Sequence, residues 1–247
     1  MNVRLLNRWV WCPLMLLLTS CGYIESTGKN HRLVQSTRGM DPATPIACQY
    51  QTRWKSKNQP IKTELWHFFR TSNRIERYRP DLKTREVWQK ESDERIVLSQ
   101  IYLDEKIVIE YFPDQFKLTH NITQWDTISS LVDPIAIRRD MLLAHTANDN
   151  NMMIEYFVKQ PPSTGYEVAW LPHLHLPIDL LYRSKDSQIE TLLLGCQKLE
   201  ESKEKPGDEN AWLDYRKVDA VDLGDLEHDP ALKALTHRAE FQSLTVP

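Results

Sequence analysis

The sequence predicts an α+β, mainly β fold: a curled antiparallel sheet, in effect an open half-barrel, with short helices covering one face. Three observations predict it. Between Ala47 and Leu199 short apolar runs alternate closely with turn signals, the pattern of a strand meander. The two faces of those runs are almost equally apolar, so either both sides of the sheet are covered or the sheet curls around one of them. A single pair of helical segments interrupts the strands, and each is too short to stand without a sheet to pack on.

Taken in order, the chain opens with Arg4 and Arg8, an apolar core from Trp9 to Leu18, and the small residues Thr19 and Ser20 before Cys21. These are the three parts of a secretory signal. The apolar run is too short to span a hydrocarbon core of ~30 Å as a stable helix. Leu18-Thr19-Ser20-Cys21 resembles the bacterial lipobox, against the alternative of an ordinary signal peptide with an incidental cysteine. The lipobox resemblance implies cleavage before Cys21 and lipidation there by a diacylglycerol thioether and an N-acyl chain of the palmitate kind. Two or more acyl chains anchor a protein stably, at ~0.8 kcal/mol per buried CH₂. Gly22 rather than Asp follows Cys21, which in lipoproteins of the enterobacterial type implies passage to the outer membrane. Residues 1–20 are thus expected to be a signal peptide and 21–46, polar and without period, a flexible tether.

A formal charge of −3 argues against nucleic acid as a partner, since that needs a concentrated basic face. Fourteen Pro against seven Gly point to turns set by Pro, Asn and Asp. Of four cysteines, Cys12 belongs to the signal and Cys21 to the lipidation site, which leaves Cys48 and Cys196 for an oxidising compartment. A disulfide between them is favoured over two separate buried thiols, because Cys48 opens the first expected strand and Cys196 closes the last of the central run.

Residues 47–199 are expected to form the sheet. Ala47–Trp54 comes first, then Lys62–Arg70, with Leu65, His67 and Phe69 on one face and Glu64, Trp66 and Phe68 on the other. Arg74–Arg79, Thr84–Lys90, Arg95–Leu103 and Lys106–Phe112 follow as a meander. Helices are expected within 123–145: Thr123–Val132 sets Trp125, Ile128, Leu131 and Val132 on one stripe. Asp133-Pro134 then reads as an N-cap with Pro at the first helical position, opening Ile135–Ala144. Thr146–Asn151 reads as a loop. Strands resume at Met152–Lys159, Tyr166–Leu171, Ile178–Ser184 and Glu190–Leu199. Residues 200–247 read as a charged linker, a strand at Leu213–Leu223, and a helix from Asp229-Pro230 to about Glu240.

Chemistry-bearing motifs are sparse. G-x-S-x-G, P-loop and G-x-G-x-x-G patterns are absent, which argues against the common hydrolases and nucleotide enzymes. His173-Leu174-His175 sets two imidazoles on one face of an extended segment but lacks a third metal ligand, and between Pro172 and Pro177 it reads as a stiff link. The acidic run Asp222–Asp229 does not match a calcium loop and reads as a Gly turn before an Asp-Pro helix start. No metal, cofactor or catalytic residue is assigned. Trp66, Phe68, Trp88 and Trp125 are the candidate ligand-binding residues, as aromatics able to line an apolar pocket, with core packing as the alternative.

A strand meander, an inserted pair of short helices and more meander, behind a lipobox, resembles the lipoprotein-carrier (LolA/LolB-like) superfamily. Residues 47–199 carry the resemblance, through Leu65-Trp66-His67-Phe68-Phe69, Ile107-Val108-Ile109-Glu110-Tyr111 and Trp125–Pro134. It implies an open half-barrel whose concave face, covered by helices, binds acyl chains without catalysis. The expected partners are therefore the membrane, through the acyl chains on Cys21, and a lipid or another lipoprotein. The alternative is a cell-envelope adaptor or scaffold lipoprotein that holds an envelope protein partner without a small-molecule ligand. Under either reading the expected location is the outer membrane, lipid-anchored and facing the periplasm.

Overall fold

In the computed structural model residues 37–112, 124–149, 152–159, 165–225, 228–232 and 235 are described. The signal peptide, Cys21, residues 22–36 of the expected tether and the end of the expected C-terminal helix lie outside them. Twelve strands form one sheet: β1 (Ile46–Ser56), β2 (Lys62–Arg70), β3 (Arg74–Arg79), β4 (Thr84–Lys90), β5 (Ile96–Tyr102), β6 (Ile107–Tyr111), β7 (Leu142–Asp149), β8 (Met152–Lys159), β9 (Gly165–Leu171), β10 (Leu176–Arg183), β11 (Ser187–Lys198) and β12 (Arg216–Asp219). Two short helices, α1 (Trp125–Ser130) and α2 (Pro134–Asp140), come between β6 and β7.

The spatial order is β12-β6-β5-β4-β3-β2-β1-β11-β10-β9-β8-β7, open at both ends. Two meanders, β1 to β6 and β7 to β11, therefore meet at one seam where β1 pairs antiparallel with β11. Cys48 faces Cys196 across that seam and the two sulfurs are bonded. Every pairing is antiparallel except that of β12, which runs parallel to β6. This is the mainly β, curled open sheet that the sequence predicts.

Both faces carry apolar side chains, and both are covered. On the inner face of the first meander, Cys48, Tyr50, Trp66, Phe68, Ile75, Trp88 and Leu98 join one buried cluster with Ile128 of α1. On the outer face Val87, Ile101 and Val108 lie under Trp212, which belongs to a C-terminal strap crossing β3 to β6. A second cluster sets Val132 and Ile137 against Phe157, Val168, Trp170 and Leu180 of β8 to β10. Seven glycines are few for so many hairpins, and five non-glycine turn residues, Asn58, Lys83, Glu94, Lys106 and His175, take positive φ instead.

The helix starting at Asp133-Pro134 forms as the sequence predicts: Asp133 Oδ1 accepts from the backbone N–H of Ile135 at 2.8 Å and of Ala136 at 3.0 Å. It ends at Asp140, however, and does not run to Ala144. Leu142–Asp149 is a strand where the sequence suggests helix and loop. Its Leu and Ala residues suit a helix, but β8 offers a full ladder of backbone partners and Tyr156 stacks on His145 at 4.2 Å, so tertiary pairing overrides local preference. Three further boundaries move. Thr37 and Met40 are buried, so the packed domain begins before Ala47. The tail strand is only Arg216–Asp219, between short 3-10 turns at Glu209–Trp212 and Ala220–Leu223. Among the described residues no helix is long and apolar enough to cross a membrane.

Candidate functional site

The strand register builds the inner face of the first meander in rows. Directly opposed residues share a face, and successive rows on that face lie two residues apart, about 7 Å. One row reads Arg70, Ile75, Trp88, Leu98 and Tyr111 across β2 to β6. The next reads Phe68, Arg77, Glu86, Gln100 and Ile109. An apolar floor therefore borders a polar one on a single surface.

Of the aromatic residues singled out from the sequence, Trp88 stands in the apolar row, Phe68 in the next row opposite Arg77, and Trp66 two residues before Phe68 on the same face of β2. Trp66 is 3% exposed, Phe68 0% and Trp88 1%, and half-buried Trp125 of α1 packs against the same cluster. The structure thus places all four in or against one buried cluster, which also holds Ile128 of α1. Trp66 stacks on Tyr50 with ring centroids 4.7 Å apart and donates its indole N–H to Thr52 at 3.0 Å. The Tyr50 hydroxyl donates to the Pro177 carbonyl at 3.1 Å, and burial raises its pKa far above the ordinary phenol value.

Arg70 joins the sheet to its cover. Its guanidinium donates to the carbonyl of Ser129, in the last turn of α1, at 3.1 Å and to that of Leu174, in the β9–β10 turn, at 2.9 Å. The residue is 3% exposed, and burial pulls its pKa down to about 10, so it stays cationic at neutral pH. One buried cation thus fastens two otherwise separate segments over the aromatic layer.

The polar floor was not read from the sequence. Arg77 lies 3.6 Å from Glu86, and Arg79 lies 3.6 Å from Glu64 and 3.9 Å from Glu86. Burial raises the Glu64 carboxyl above the usual carboxylate range and lowers the Arg77 guanidinium. Beside them Gln100 accepts from the hydroxyls of Tyr102 at 3.3 Å and Tyr111 at 3.1 Å. The signal lay in Arg74-Ile75-Glu76-Arg77-Tyr78-Arg79, which puts charge on both faces of a strand that is covered on both sides.

The other sequence candidates separate. His173 contacts the Thr37 hydroxyl at 3.2 Å, while His175 lies against Trp170, with ring centroids 6.3 Å apart. Both belong to the turn between β9 and β10, and among the described residues no group of three or more His, Cys, Asp or Glu is arranged to hold a metal ion. Asp229 caps the turn that follows it, accepting from the Ala231 N–H at 2.9 Å, and pairs with Arg216. A cleft of 670 Å³ lies apart from the aromatic layer, lined by Gly39, Thr44, Pro45, Lys198, Leu199, Glu200, Lys205 and Pro206. None of the four candidate aromatics lines it.

Asp179 is a second polar residue the sequence reading missed. It sits on β10 opposite Leu192 and Ala169, and its Oδ1 has no hydrogen-bond partner among the described residues. Burial, then the neighbouring carboxylates Glu190 and Glu167, push its pKa up to about 7, with Arg183 opposing. The folded state therefore holds this proton more tightly than the unfolded chain. Its contribution to stability is full below pH ~4 and is lost as pH rises through 7. Asp179→Asn is expected to raise the melting temperature at pH 8, by the equivalent of ~4 kcal/mol at most. At pH 4 it is expected to leave it nearly unchanged, as scanning calorimetry at both pH values would read.

No family model matches the chain, and no curated protein matches it. Solved structures do. A structure of PNGF-II is 12% identical with a TM-score of 0.42, covering 76% of this chain and 34% of that one. A MucA/MucB complex from Pseudomonas aeruginosa is 10% identical with a TM-score of 0.33, covering 74% of this chain and 58% of that one. The chain thus spans about a third of the PNGF-II chain and little more than half of the other. A LolA superfamily protein from Nitrosomonas europaea is 7% identical with a TM-score of 0.27, covering 72% of this chain and 94% of that one.

Proposed function

We propose that this chain is an envelope lipoprotein, anchored through Cys21, that binds an acyl chain or a lipidated partner between the sheet and its helices without catalysis. The observation that carries the reading is the Arg70 joint. Helices of six and seven residues do not persist alone, so the cover depends on the side chains that pin it. α1 is pinned by Ile128 in the aromatic cluster and by the hydrogen bond from Arg70 to Ser129. Breaking that bond frees α1 from a layer of Trp66, Phe68 and Trp88, and an acyl chain entering there is held by apolar burial at ~25 cal/mol per Å².

Native mass spectrometry of the full chain, solubilised and stripped of bulk lipid, tests this. Retained lipid in a stoichiometric complex supports it, and a bare chain after lipid is supplied refutes it. The anchor has its own test. Cys21→Ala is expected to shift the protein from the membrane to the soluble fraction, and continued sedimentation with membranes would remove Cys21 as the anchor.

A second reading, an adaptor that holds an envelope protein, is favoured by one observation. β7 ends the sheet, no described strand pairs with its outer side, and Leu142 and Leu143 on it are 61% and 51% exposed. An open edge of this kind is a template for an added strand. Site-specific crosslinking from Thr146 would capture a protein in the cell under this reading and none under the first.

A further inference from the structure

The polar floor in the neighbouring row consists of two cations and two carboxylates, all largely covered. Arg77 is 8% exposed, Arg79 3% and Glu64 6%, and Glu86 is largely covered. The closest approaches among them are 3.6, 3.6 and 3.9 Å, each longer than a hydrogen bond. Arg77 Nε and Glu64 Oε1 have no hydrogen-bond partner among the described residues. Leaving one donor and one acceptor unmatched in a buried ionic cluster is costly. Stability alone favours apolar residues at these positions, so the cluster calls for a ligand that supplies the missing partners.

The chemistry of that ligand follows from three constraints. Arg77 offers a fork of donors, which fits an anionic oxygen group such as a phosphate ester. Glu64 offers an acceptor, which fits an ammonium or hydroxyl. The four charges of the site cancel, so a ligand with net charge would be buried without compensation, whereas a zwitterion would not. The polar floor also lies one row, about 7 Å, from the row of Ile75, Trp88 and Leu98, so a head group here continues directly into an apolar tail.

We propose that Arg77, Arg79, Glu64 and Glu86 form a head-group site for a zwitterionic lipid, whose phosphate meets Arg77 and whose protonated amine meets Glu64. The inference rests on the acyl-binding reading above and adds selectivity to it. Acyl burial alone distinguishes chains by length and ignores the head, whereas this site selects phosphoethanolamine-type heads over anionic ones.

The test uses the full chain in mild detergent with an equimolar mixture of phosphatidylethanolamine and phosphatidylglycerol of identical acyl composition, bound lipid being read by native mass spectrometry. Wild type is expected to retain the ethanolamine lipid in about tenfold excess. Glu64→Gln removes the partner of the amine and a buried counter-ion of Arg79, so its melting temperature should fall, while the preference of the variant that remains folded falls severalfold. Arg77→Lys, which keeps the charge but not the fork, should weaken retention of both phospholipids. Equal retention of the two lipids by wild type overturns the head-group site and leaves acyl binding standing. Retention of neither overturns both. A preference unchanged in Glu64→Gln also overturns the site, as does displacement of the bound lipid by free phosphoethanolamine at equal concentration, which would make the ligand a small zwitterion instead of a lipid.

Discussion

Replacing Cys48 and Cys196 together with alanine is expected to remove about 5 kcal/mol of stability, on the order of a 10 °C fall in melting temperature. The bond closes a loop with a sequence separation of 148 residues, and loop entropy in the unfolded chain grows with the logarithm of that length. Its position adds to the effect. Among the described residues β1–β11 is the one strand pairing that joins the two meanders, so the crosslink holds the contact that is most expensive to close by chance. Both cysteines are buried, at 2% and 4% exposure, so reductant should act only after unfolding. Calorimetry of the double variant, and thiol labelling of native protein in dithiothreitol, check the two statements. A melting temperature within 2 °C of wild type would show that the unfolded chain keeps the seam without the bond.

Glu76→Gln is expected to cost about 3–5 kcal/mol, the range found when one partner of a buried ionic group is removed. Glu76 is fully buried on the outer face. It takes hydrogen bonds from Arg74 at 3.0 Å, from Arg85, and from the backbone N–H of Gly207 at 3.0 Å. One carboxylate thus binds two guanidinium groups and holds the C-terminal strap on the sheet. Gly207 fits there because a Cβ would overlap the Trp212 ring, which covers Val87, Ile101 and Val108. The variant should melt earlier and should be cut faster by trypsin at the exposed Lys203 as the strap opens. Glu209→Gln is the control. Glu209 meets the same Arg74 from an exposed position, and its loss should change stability by roughly 0.5 kcal/mol or less.

What the sequence made legible is whatever local pattern carries. Close alternation of apolar runs and turns located β1 to β6, Asp133-Pro134 located the start of α2, and the strand-end positions of Cys48 and Cys196 suggested their partnership. β7 was not legible because Leu142-Leu143-Ala144 is compatible with a helix, and only the presence of β8 decides the matter. The Glu76–Gly207 contact spans 131 residues and has no local signature at all. The inward charges were not legible because the two faces of the strands carrying Arg77, Arg79 and Glu86 look alike in sequence, and charged side chains are seldom buried. The grouping of Trp66, Phe68, Trp88 and Trp125 was anticipated as a set, but their union under a cover fastened by Arg70 depends on carbonyls at Ser129 and Leu174 that no side-chain pattern announces.

The seam also imposes a timetable on assembly. A chain that emerges N-terminus first completes β1 to β6 while β1 still lacks its second neighbour, which arrives only with β11. Contacts of such long range are slow to form, and in the interval the β1 edge is open to strands of other chains. Joint oxidation of Cys48 and Cys196 by an external oxidant is therefore a late event that marks a finished molecule, and a chain caught before it has half a sheet and a free thiol at the exposed edge. Yield under conditions that limit disulfide formation should consequently fall through aggregation before it falls through loss of binding.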